Sequence, residues 1–334
     1  MKNSKMLTIV IPTYNMELYL NRCLDSLLIK NQTVFNKMQV LVVNDGSKDN
    51  SLEIAKKYET KYPNVFSVID KENGNYGSCV NKGLELAEGK FFRILDADDW
   101  VITSQLEEFI CQLENIEEDL VLTNYSFVTE KDKRMVSMRN AAYSKVFEID
   151  DFDFHASGND MLLRMHAMTY KTSLLHRIGL KLQCGISYTD AEYCYYPFVK
   201  ASNMIFLNLD LYQYFLGREG QTVSKDSMVK NFNHFYLVGI RMLKDYLSIT
   251  SLSKAKRKTL VYFISNSLFG IYAVCLIYAK QVSNDQIGKL REVDDLVSKE
   301  RKLRNKVFRF TYRKIPFVLV WKLLGIRLGQ NVWI

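Results

Sequence analysis

Three apolar runs in the first hundred residues each end abruptly in polar residues. The first ends at Pro12-Thr13-Tyr14-Asn15, the second at Asn44-Asp45-Gly46-Ser47, and the third at Asp96-Ala97-Asp98-Asp99. Apolar residues recur at helical spacing after the first two runs,. This repetition of strand, polar turn and helix predicts βαβ units, a mainly parallel sheet and an α/β fold. The polar ends should therefore meet at one edge of the sheet, where open α/β sheets bind their ligands.

The third run delivers three carboxylates within four positions, directly after the strand predicted near residues 91–95. Mg²⁺ and Mn²⁺ prefer carboxylate and phosphate oxygens, and usually bind through one or two carboxylates plus a substrate diphosphate. We expect Asp98 to contact such a cation directly, with Asp96 as the second carboxylate. A strand followed by an acidic turn or a helix N-cap gives the same pattern without any ligand.

Four motifs, in this order and spacing, resemble the family 2 glycosyltransferases, which have the GT-A fold. They are IVIPTYN, VVNDGSKDNS, ENGNYGSCVNKG and LDADD, and a weaker resemblance continues through residues 188–190 and 217–224. The resemblance implies inverting transfer of a hexose or N-acetylhexosamine from a UDP-sugar to a hydroxyl, with Mn²⁺ or Mg²⁺ as cofactor. The implied acceptor is a glycan or lipid-linked glycan, in surface polysaccharide or glycoprotein glycan synthesis.

The resemblance also implies a set of donor-binding residues. Tyr14 should stack on the nucleotide base, Asp45 should accept the N–H of a uracil ring, and Asp96 should lie near the ribose. The full donor-binding set is Pro12, Thr13, Tyr14, Asn15, Asp45, Lys71, Asn81, Asp96 and Arg218. Turn residues after a strand explain several of these positions equally well, and salt bridges to surface acids would explain Lys71 and Arg218.

Asp190 matches the position of the family's catalytic base, within Tyr188-Thr189-Asp190. A carboxylate there can take the proton of the acceptor hydroxyl as the anomeric carbon is attacked, and direct displacement then inverts that carbon. The alternatives are a helix N-cap role for Asp190, and Glu192 as the base. The chain departs from the family at two positions, with Asn44 where most members have Asp and Val80 where many have Arg.

The chain is expected to form two domains. Residues 1–225 would be the GT-A catalytic domain, with a nucleotide-sugar half at 1–100 and an acceptor half at 101–225, and residues 226–334 a basic helical domain. Residues 1–229 carry 25 Lys and Arg against 31 Asp and Glu, whereas residues 230–334 carry 20 against 6. This asymmetry predicts an anionic partner for the C-terminal part.

Two C-terminal segments bear on membrane contact. Residues 260–279 carry no charge and could span a bilayer, but the polar run Ser265-Asn266-Ser267 favours a helix buried in a bundle,. Residues 299–334 interleave basic and aromatic residues, as in a basic helix that binds an anionic membrane peripherally,. The alternative is a solvated basic face on an ordinary packed helix. No nucleic-acid partner is expected, and homo-oligomerisation is left open.

The six cysteines are scattered, without a CxxC pair, which favours free thiols in a reducing compartment,. The polar start, Met1 to Lys5, does not resemble a signal peptide,. We therefore expect a cytoplasmic enzyme, held peripherally at the inner face of the cell membrane.

Two other classes of function compete with the transferase. A nucleotidyltransferase on a related fold would require a glycine-rich phosphate loop after the first strand, and Pro12-Thr13-Tyr14-Asn15 is not one,. A non-catalytic nucleotide-sugar-binding subunit would have no need of the set Asp96, Asp98 and Asp190.

Overall fold

The computed structural model describes residues 5–138, 143–217 and 224–325, except for the side chain of Leu324. The chain divides into two compact units, Met1–Arg218 and Glu219–Ile334. The boundary expected from the sequence lies seven residues further along the chain, after residue 225.

The first unit is built on one ten-stranded sheet. Its strands are β1 Leu7–Thr13, β2 Met38–Asp45, β3 Phe66–Lys71, β4 Phe91–Ile94, β5 Trp100–Val101, β6 Leu120–Val128, β7 Lys133–Val136, β8 Val146–Glu148, β9 Met168–Lys171 and β10 Asn203–Phe215. The order across the sheet is β3-β2-β1-β4-β9-β6-β10-β5, with β7 beside β6 and β8 beside β10. Strands β1 to β4 are mutually parallel, as are β6 and β10. The expected α/β class is confirmed.

Helices connect the strands of this unit. They are α1 Leu20–Asp25, α2 Gln32–Phe35, α3 Ser51–Lys61, α4 Asn75–Glu85, α5 Thr103–Leu113, α6 Thr172–Arg177 and α7 Asp190–Lys200, with a single 3₁₀ turn at Asp160–Leu162. Strand β1 is almost wholly buried between its neighbours, which explains its continuous apolar run,.

Two strands are longer than the sequence predicts. The patterns of residues 120–123 and 126–129 each predict a short strand, but the structure has the single strand β6 followed by a hairpin to β7. The pattern of residues 204–216 predicts a strand, a short turn and a second strand, but β10 runs through this region with irregular register between Leu207 and Tyr212. Polar residues within the two strands are paired inside the sheet: Asn124 donates to Asn208 at 3.0 Å, and Ser126 donates to Asp210 at 2.9 Å.

The second unit is helical. It contains α8 Lys225–Lys230, α9 Phe232–Ser248, α10 Lys254–Ala273, α11 Asn284–Ser298, α12 Arg301–Phe308 and α13 Phe317–Leu324. A π-helical turn, Val274–Tyr278, continues α10, and a hairpin of β11 Thr311–Tyr312 and β12 Ile315–Pro316 separates α12 from α13.

The basic and aromatic C-terminal segment is therefore not one helix, which corrects the expectation for residues 299–334. Phe310 and Phe317 are buried and pack against Phe269, with ring centroids 5.3 and 6.1 Å away. These aromatic rings belong to the core of the second unit, because packing against α10 removes more apolar surface from water than a surface position would. Residues 326–334 of the segment lie outside the described part of the chain.

Among the described residues, the helical stretch Lys254–Tyr278 is long and apolar enough to cross a membrane, judged by length and composition alone. Within its most apolar window, 78% of the residues are buried in the protein. Packing inside the protein accounts for this composition, in line with the favoured expectation of a buried bundle helix.

Candidate active site

The ends of the four parallel strands lie side by side. Thr13 of β1 pairs with Asn44 of β2, and Asp45 pairs with Lys71 of β3. Strand β4 lies on the other side of β1, and Asp96 follows two residues after its end. The polar strand ends predicted from the sequence thus share one edge of the sheet.

A cavity of about 530 Å³ opens at the β2 and β3 end of this edge. Tyr14, which is 46% exposed, forms part of its wall, as expected for a stacking surface. The other lining residues are Asn44, Gly46, Ser47, Lys48, Leu52, Asp70, Lys71, Glu72 and Asn73. Asn15 anchors the loop beside it: its backbone N–H donates to Ser47 and its side chain accepts from the N–H of Lys48.

Asp45 does not line this cavity. Its Oδ1 accepts hydrogen bonds from Nζ of Lys71 at 2.6 Å and from the N–H of Gly74 at 2.9 Å, and the residue is buried. Successive residues of a strand face opposite sides of the sheet, so Asn44 takes the cavity side instead. The amide of Asn44 donates to Asp70 at 2.7 Å. Asp70 lines the cavity, and it was not among the donor-binding residues expected from the sequence. The signal that could have found it is its position at the end of β3, where it pairs with Asn44 of β2.

Other expected donor contacts are engaged within the protein. Thr13 is buried and its hydroxyl donates to the carbonyl of Ile11. Nζ of Lys71 also donates to Ser78 at 3.0 Å. Asn81 forms two 2.8 Å hydrogen bonds with the backbone of Leu182, so it holds a loop. Arg218 lies outside the described residues.

The loop after β4 presents the three carboxylates in different surroundings. The hydroxyl of Tyr76 donates to Oδ1 of Asp96 at 2.9 Å, and Asp98 is 7% exposed. The backbone carbonyl of Asp98 accepts a 2.8 Å hydrogen bond from Arg22, whose guanidinium lies 3.9 Å above the ring of Trp100. Desolvation lowers the pKa of Arg22, partly opposed by the negative charges of Asp99 and Asp98. Tyr76 and Arg22 had no signal in the sequence analysis.

Asp99 is the buried member of the three. Its Oδ2 accepts from the hydroxyl of Tyr212 at 2.6 Å and its Oδ1 from the N–H of Phe215 at 2.7 Å, so it anchors β10. Burial, together with the charges of Asp98 and Asp96, raises its pKa well above the usual range. Carboxylates that are already saturated by protein donors are poor candidates for a substrate-bridging cation.

His166 lies beside these carboxylates, unforeseen from the sequence. Ligand atoms of Asp96, Asp99 and His166 all lie within 4.8 Å of one another, close enough to share a metal ion. The imidazole is stacked on Tyr214, with ring centroids 4.3 Å apart, and its Nδ1 is buried without a hydrogen-bond partner. Burial and the charges of Arg164 and Arg93 lower its pKa to about 3, so the ring is neutral and able to ligate,.

Asp190 begins α7, and desolvation raises its pKa. Backbone N–H groups of Asp190 and Ala191 and the charge of Arg164 oppose that rise. Tyr188, two residues earlier, has φ 68°, a left-handed conformation that is unusual for a bulky residue and that clusters at functional sites,. Burial, and then the charges of Asp96 and Asp190, raise the pKa of Tyr76, so this phenol is near both carboxylates.

Glu192 has a different environment. It is completely buried, and its two oxygens accept 2.8 Å hydrogen bonds from the backbone N–H and the side chain of Gln183. This pairing makes Glu192 a structural anchor for the loop that precedes Asp190. The fallback assignment of Glu192 as the base therefore has no geometric support.

The glycine turn before α4 receives the same loop. A Cβ on Gly77 would lie 2.1 Å from the backbone oxygen of Gln183, and the N–H of Gly185 donates to the carbonyl of Gly74 at 2.7 Å. Glycines in a turn of this kind let the backbone come close to a ligand or to another chain segment. The structure shows a chain segment at both glycines, and that segment leads to Asp190.

Comparison with known proteins agrees with this architecture. Residues 8–177 match the family described as Glycosyl transferase family 2. The chain is 37% identical over 131 residues to the uncharacterized glycosyltransferase MG025 homolog of Mycoplasma pneumoniae, covering 39% of this chain and 42% of that protein. It is 40% identical over 104 residues to the minor teichoic acid biosynthesis protein GgaB of Bacillus subtilis, covering 31% of this chain and 11% of GgaB.

Among solved structures, that of S. aureus TarS 1-349 in complex with UDP-GlcNAc superposes with a TM-score of 0.63. The match covers 91% of this chain and 84% of the TarS chain at 19% identity, which establishes the fold. The fold is thus GT-A, the class of glycosyltransferases that the carboxylate-bearing sheet edge indicates. The chain belongs to glycosyl transferase family 2, which confirms the resemblance of its motifs and its expected class as a transferase. It matches less than half the length of the curated relatives named here.

Proposed function

We propose that this protein is an inverting glycosyltransferase that moves a hexose or N-acetylhexosamine from a UDP-sugar to a hydroxyl of a glycan or lipid-linked glycan. One observation carries the proposal: the phenol of Tyr76 bonds Asp96 and also lies in the field of Asp190. The carboxylates proposed for the donor diphosphate and the proposed base are therefore brought to one place, as transfer between two substrates requires.

For the donor, we propose that the base of the nucleotide occupies the cavity beside Tyr14. Asp70 has one oxygen bonded to Asn44, and its carboxylate can accept the N3–H of uracil,. The contact with uracil that the resemblance implied for Asp45 is thereby assigned to Asp70, on the neighbouring strand β3. UDP-sugar and UDP complexes of TarS, which has the same fold, support the choice of a uridine donor.

For the metal, we propose Asp96 and Asp98 as protein ligands of Mn²⁺ or Mg²⁺. Their hard oxygen donors fit either ion, and Asp98 retains some exposure whereas Asp99 is saturated by Tyr212 and Phe215,. The neutral imidazole of His166 has a buried nitrogen without a partner, and its ligand atom lies within 4.8 Å of those of Asp96 and Asp99, so it could supply a nitrogen ligand beside Asp96. When bound, the cation offsets the charge that develops on the leaving diphosphate.

For the base, we propose Asp190. Desolvation raises its pKa, which increases its affinity for the proton of an acceptor hydroxyl,. A mechanism with one base and no protein nucleophile corresponds to direct displacement at the anomeric carbon, which inverts the configuration of that carbon. The name of GgaB, a teichoic acid biosynthesis protein, supports a surface glycopolymer as the acceptor class.

We further propose that the second unit contacts anionic membrane by charge, at the cytoplasmic face. Exposed basic side chains lie on and after α12, namely Arg301, Lys302, Arg309, Arg313 and Lys314. The six cysteines are free, in keeping with a reducing compartment,. Each basic residue near such a surface contributes about 1 kcal/mol. Truncation would remove buried Leu303 and Val307, so charge reversal is the cleaner test.

The membrane test compares the protein with its R301E/K302E variant by co-sedimentation with phosphatidylglycerol and phosphatidylcholine vesicles. We expect the variant to bind phosphatidylglycerol vesicles at least about tenfold more weakly. Equal binding by the two proteins, or equal binding to both lipids, would contradict the proposal.

The catalytic test measures nucleoside diphosphate release from a panel of nucleotide sugars, with Mn²⁺, with Mg²⁺ and with a chelator. Metal-dependent UDP release is the expected result. Pyrophosphate release would indicate the nucleotidyltransferase alternative, and UDP binding without release would indicate a non-catalytic subunit.

A further inference from the structure

We propose that the phenol of Tyr214 forms a hydrogen bond with the sugar that is transferred. The inference rests on the proposed function and adds to it a residue that binds the sugar itself, rather than the uridine or the diphosphate of the donor. Tyr214 is the last residue but one of β10, and it was not among the residues expected from the sequence to act at the site.

The strand pairing brings the end of β10 to the edge that carries the candidate site. Strand β9 runs antiparallel to both β4 and β6, and β6 is parallel to β10. The C-terminal ends of β4, β6 and β10 therefore share one edge of the sheet. The N–H of Phe215, the residue after Tyr214, donates to Asp99 at 2.7 Å, which fixes the end of β10 to the loop after β4.

Tyr214 shares one face of β10 with Tyr212, because alternate residues of a strand point to the same side. The imidazole of His166 packs against both rings, with centroids 4.9 Å from that of Tyr212 and 4.3 Å from that of Tyr214. The hydroxyl of Tyr212 donates to Asp99 at 2.6 Å. Tyr214 is therefore on the side of the sheet that faces this carboxylate, two residues nearer to the end of the strand.

The two phenols differ in what they bind. Tyr212 is fully buried, and its hydroxyl also accepts a 3.2 Å hydrogen bond from the N–H of Asp96. Tyr214 is half-buried, and within the described residues its hydroxyl forms no hydrogen bond. Its oxygen is not among the buried polar atoms that lack a partner, so it is accessible to solvent. A ligand can therefore reach the phenol of Tyr214, whereas that of Tyr212 is occupied within the protein.

The charges around the phenol agree with this position. Burial raises the pKa of Tyr214, and so do the negative charges of four carboxylates, which are, from the largest effect to the smallest, Asp99, Asp96, Asp98 and Asp190. The three carboxylates of the loop after β4 act more strongly than Asp190, so the phenol lies on the donor side of the proposed catalytic base. The stacking on His166 indicates the same side, because the ligand atom of His166 lies within 4.8 Å of that of Asp96.

The sugar is the part of the donor that belongs at this position. In direct displacement, the anomeric carbon sits between the leaving diphosphate and the attacking hydroxyl. The diphosphate is assigned to the cation at Asp96 and Asp98, and the attacking hydroxyl to Asp190. The uracil is assigned to the cavity beside Tyr14, at the ends of β2 and β3. A phenol that faces the cation site and Asp190 together is therefore beside the sugar, whose hydroxyls can donate to it or accept from it.

The test compares the wild type with Tyr214→Phe, because phenylalanine keeps the ring that stacks on His166 and removes only the hydroxyl. Tyr62→Phe is the matched control. Tyr62 is also half-buried, its hydroxyl forms no hydrogen bond within the described residues, and it precedes β3, at the opposite edge of the sheet. Calorimetry on the whole protein with Mn²⁺ measures the affinities of all three proteins for UDP, UDP-glucose and UDP-GlcNAc.

We expect Tyr214→Phe to bind the UDP-sugars that the wild type binds about twofold to tenfold more weakly, which corresponds to the loss of one neutral hydrogen bond. The UDP affinity should be unchanged, because UDP lacks the transferred sugar. Tyr62→Phe should bind all three probes as the wild type does. Monodeoxy analogues of the same UDP-sugars then identify the contacted hydroxyl, since the analogue that lacks it should bind the wild type and Tyr214→Phe equally.

Equal affinities of the wild type and Tyr214→Phe for both UDP-sugars would overturn the proposal. A loss of UDP affinity by the same factor would overturn it as well, because it would assign the phenol to the diphosphate. So would a wild type that binds UDP but neither UDP-sugar. The proposed function fails separately, if the wild type releases no UDP from any nucleotide sugar, and the comparison of affinities still tests the contact in a protein that binds UDP-sugars without turnover.

Discussion

Arg22 holds Asp98 through the backbone, donating a 2.8 Å hydrogen bond to its carbonyl oxygen from a guanidinium that lies over Trp100. The loop that carries the proposed metal ligands is thereby fixed to α1, because Arg22 lies 76 residues before Asp98 in the chain. This contact is made by the backbone and does not depend on the Asp98 side chain, so a substitution there should affect chemistry more than folding.

Asp98→Asn should therefore abolish metal-dependent turnover while leaving thermal unfolding close to that of the wild type. We expect a loss of at least about 10²- to 10³-fold, because electrostatic stabilisation of the developing charge is usually the largest catalytic effect. Glu108→Gln on α5 is the matched control, since Glu108 is an exposed carboxylate whose hydrogen bond is to Gln112 of the same helix. More than a tenth of wild-type turnover at saturating metal would contradict the assignment.

Asp190→Asn should lose transfer by about 10²- to 10⁴-fold, the usual contribution of a general base. UDP affinity, measured by calorimetry, should stay the same because the base lies on the acceptor side. Glu192→Ala is an instructive comparison: it leaves donors of Gln183 unpaired, so it should destabilise the protein by about 1–3 kcal/mol,. Weakened UDP binding with normal transfer in Asp190→Asn would refute the role.

The pH dependence of transfer should show an acidic limb set by Asp190. Its pKa is raised from 3.8 by desolvation, and a base works only when ionised, so kcat/KM should fall as the pH falls through that raised value,. The facing groups act in both directions: Arg164 lowers the pKa and Glu192 raises it. In R164Q the limb should consequently move to higher pH. A limb that moves to lower pH in this variant would contradict the assignment of the limb to Asp190.

Tyr14→Ala should weaken UDP binding, because the ring lines the cavity proposed for the base. Stacking of a base on an aromatic ring contributes about 1–3 kcal/mol, which corresponds to roughly fivefold to 150-fold in affinity. Leu18→Ala provides the control, since Leu18 is 82% exposed and does not line the cavity. Calorimetry measures the UDP affinity of both variants. Equal affinities of Tyr14→Ala and Leu18→Ala for UDP would show that the base does not bind in this cavity.

Gly77→Ala should destabilise the protein and slow transfer together. The added Cβ would lie 2.1 Å from the carbonyl oxygen of Gln183, so the loop leading to Asp190 must shift. Overpacking of this kind costs about 1–3 kcal/mol. Gly288→Ala on α11, where the Cβ meets no atom within 4 Å, should be neutral or stabilising,. Thermal unfolding and UDP release on both variants test this, and wild-type behaviour of Gly77→Ala would show that the loop is not docked on α4.

The sequence by itself determined the α/β class, the parallel strands β1 to β4, their shared polar edge, the transferase family and a helical C-terminal part. These depend on local information, since strand and helix periodicities and strand-end residues are read within short windows. The helix beginning at Asp190 was visible in the same way. The residues expected to act at the edge stay proposals, because their chemistry depends on bound substrates.

Only the tertiary structure decided which polar atoms are satisfied by the protein and which face a ligand. Asn44 rather than Asp45 faces the cavity, because side chains alternate along the strand and the ammonium of Lys71 binds Asp45. The carboxylate of Glu192 is occupied by hydrogen bonds from Gln183. Arg22 and Tyr76 come to the site from two separate segments, and Arg164 and His166 come from a third. Such contacts join residues that are far apart in the sequence, so local sequence patterns do not predict them. The long-range hydrogen bond between Asn124 and Asn208 likewise keeps both asparagines within strands, although asparagine is usually depleted from strands,.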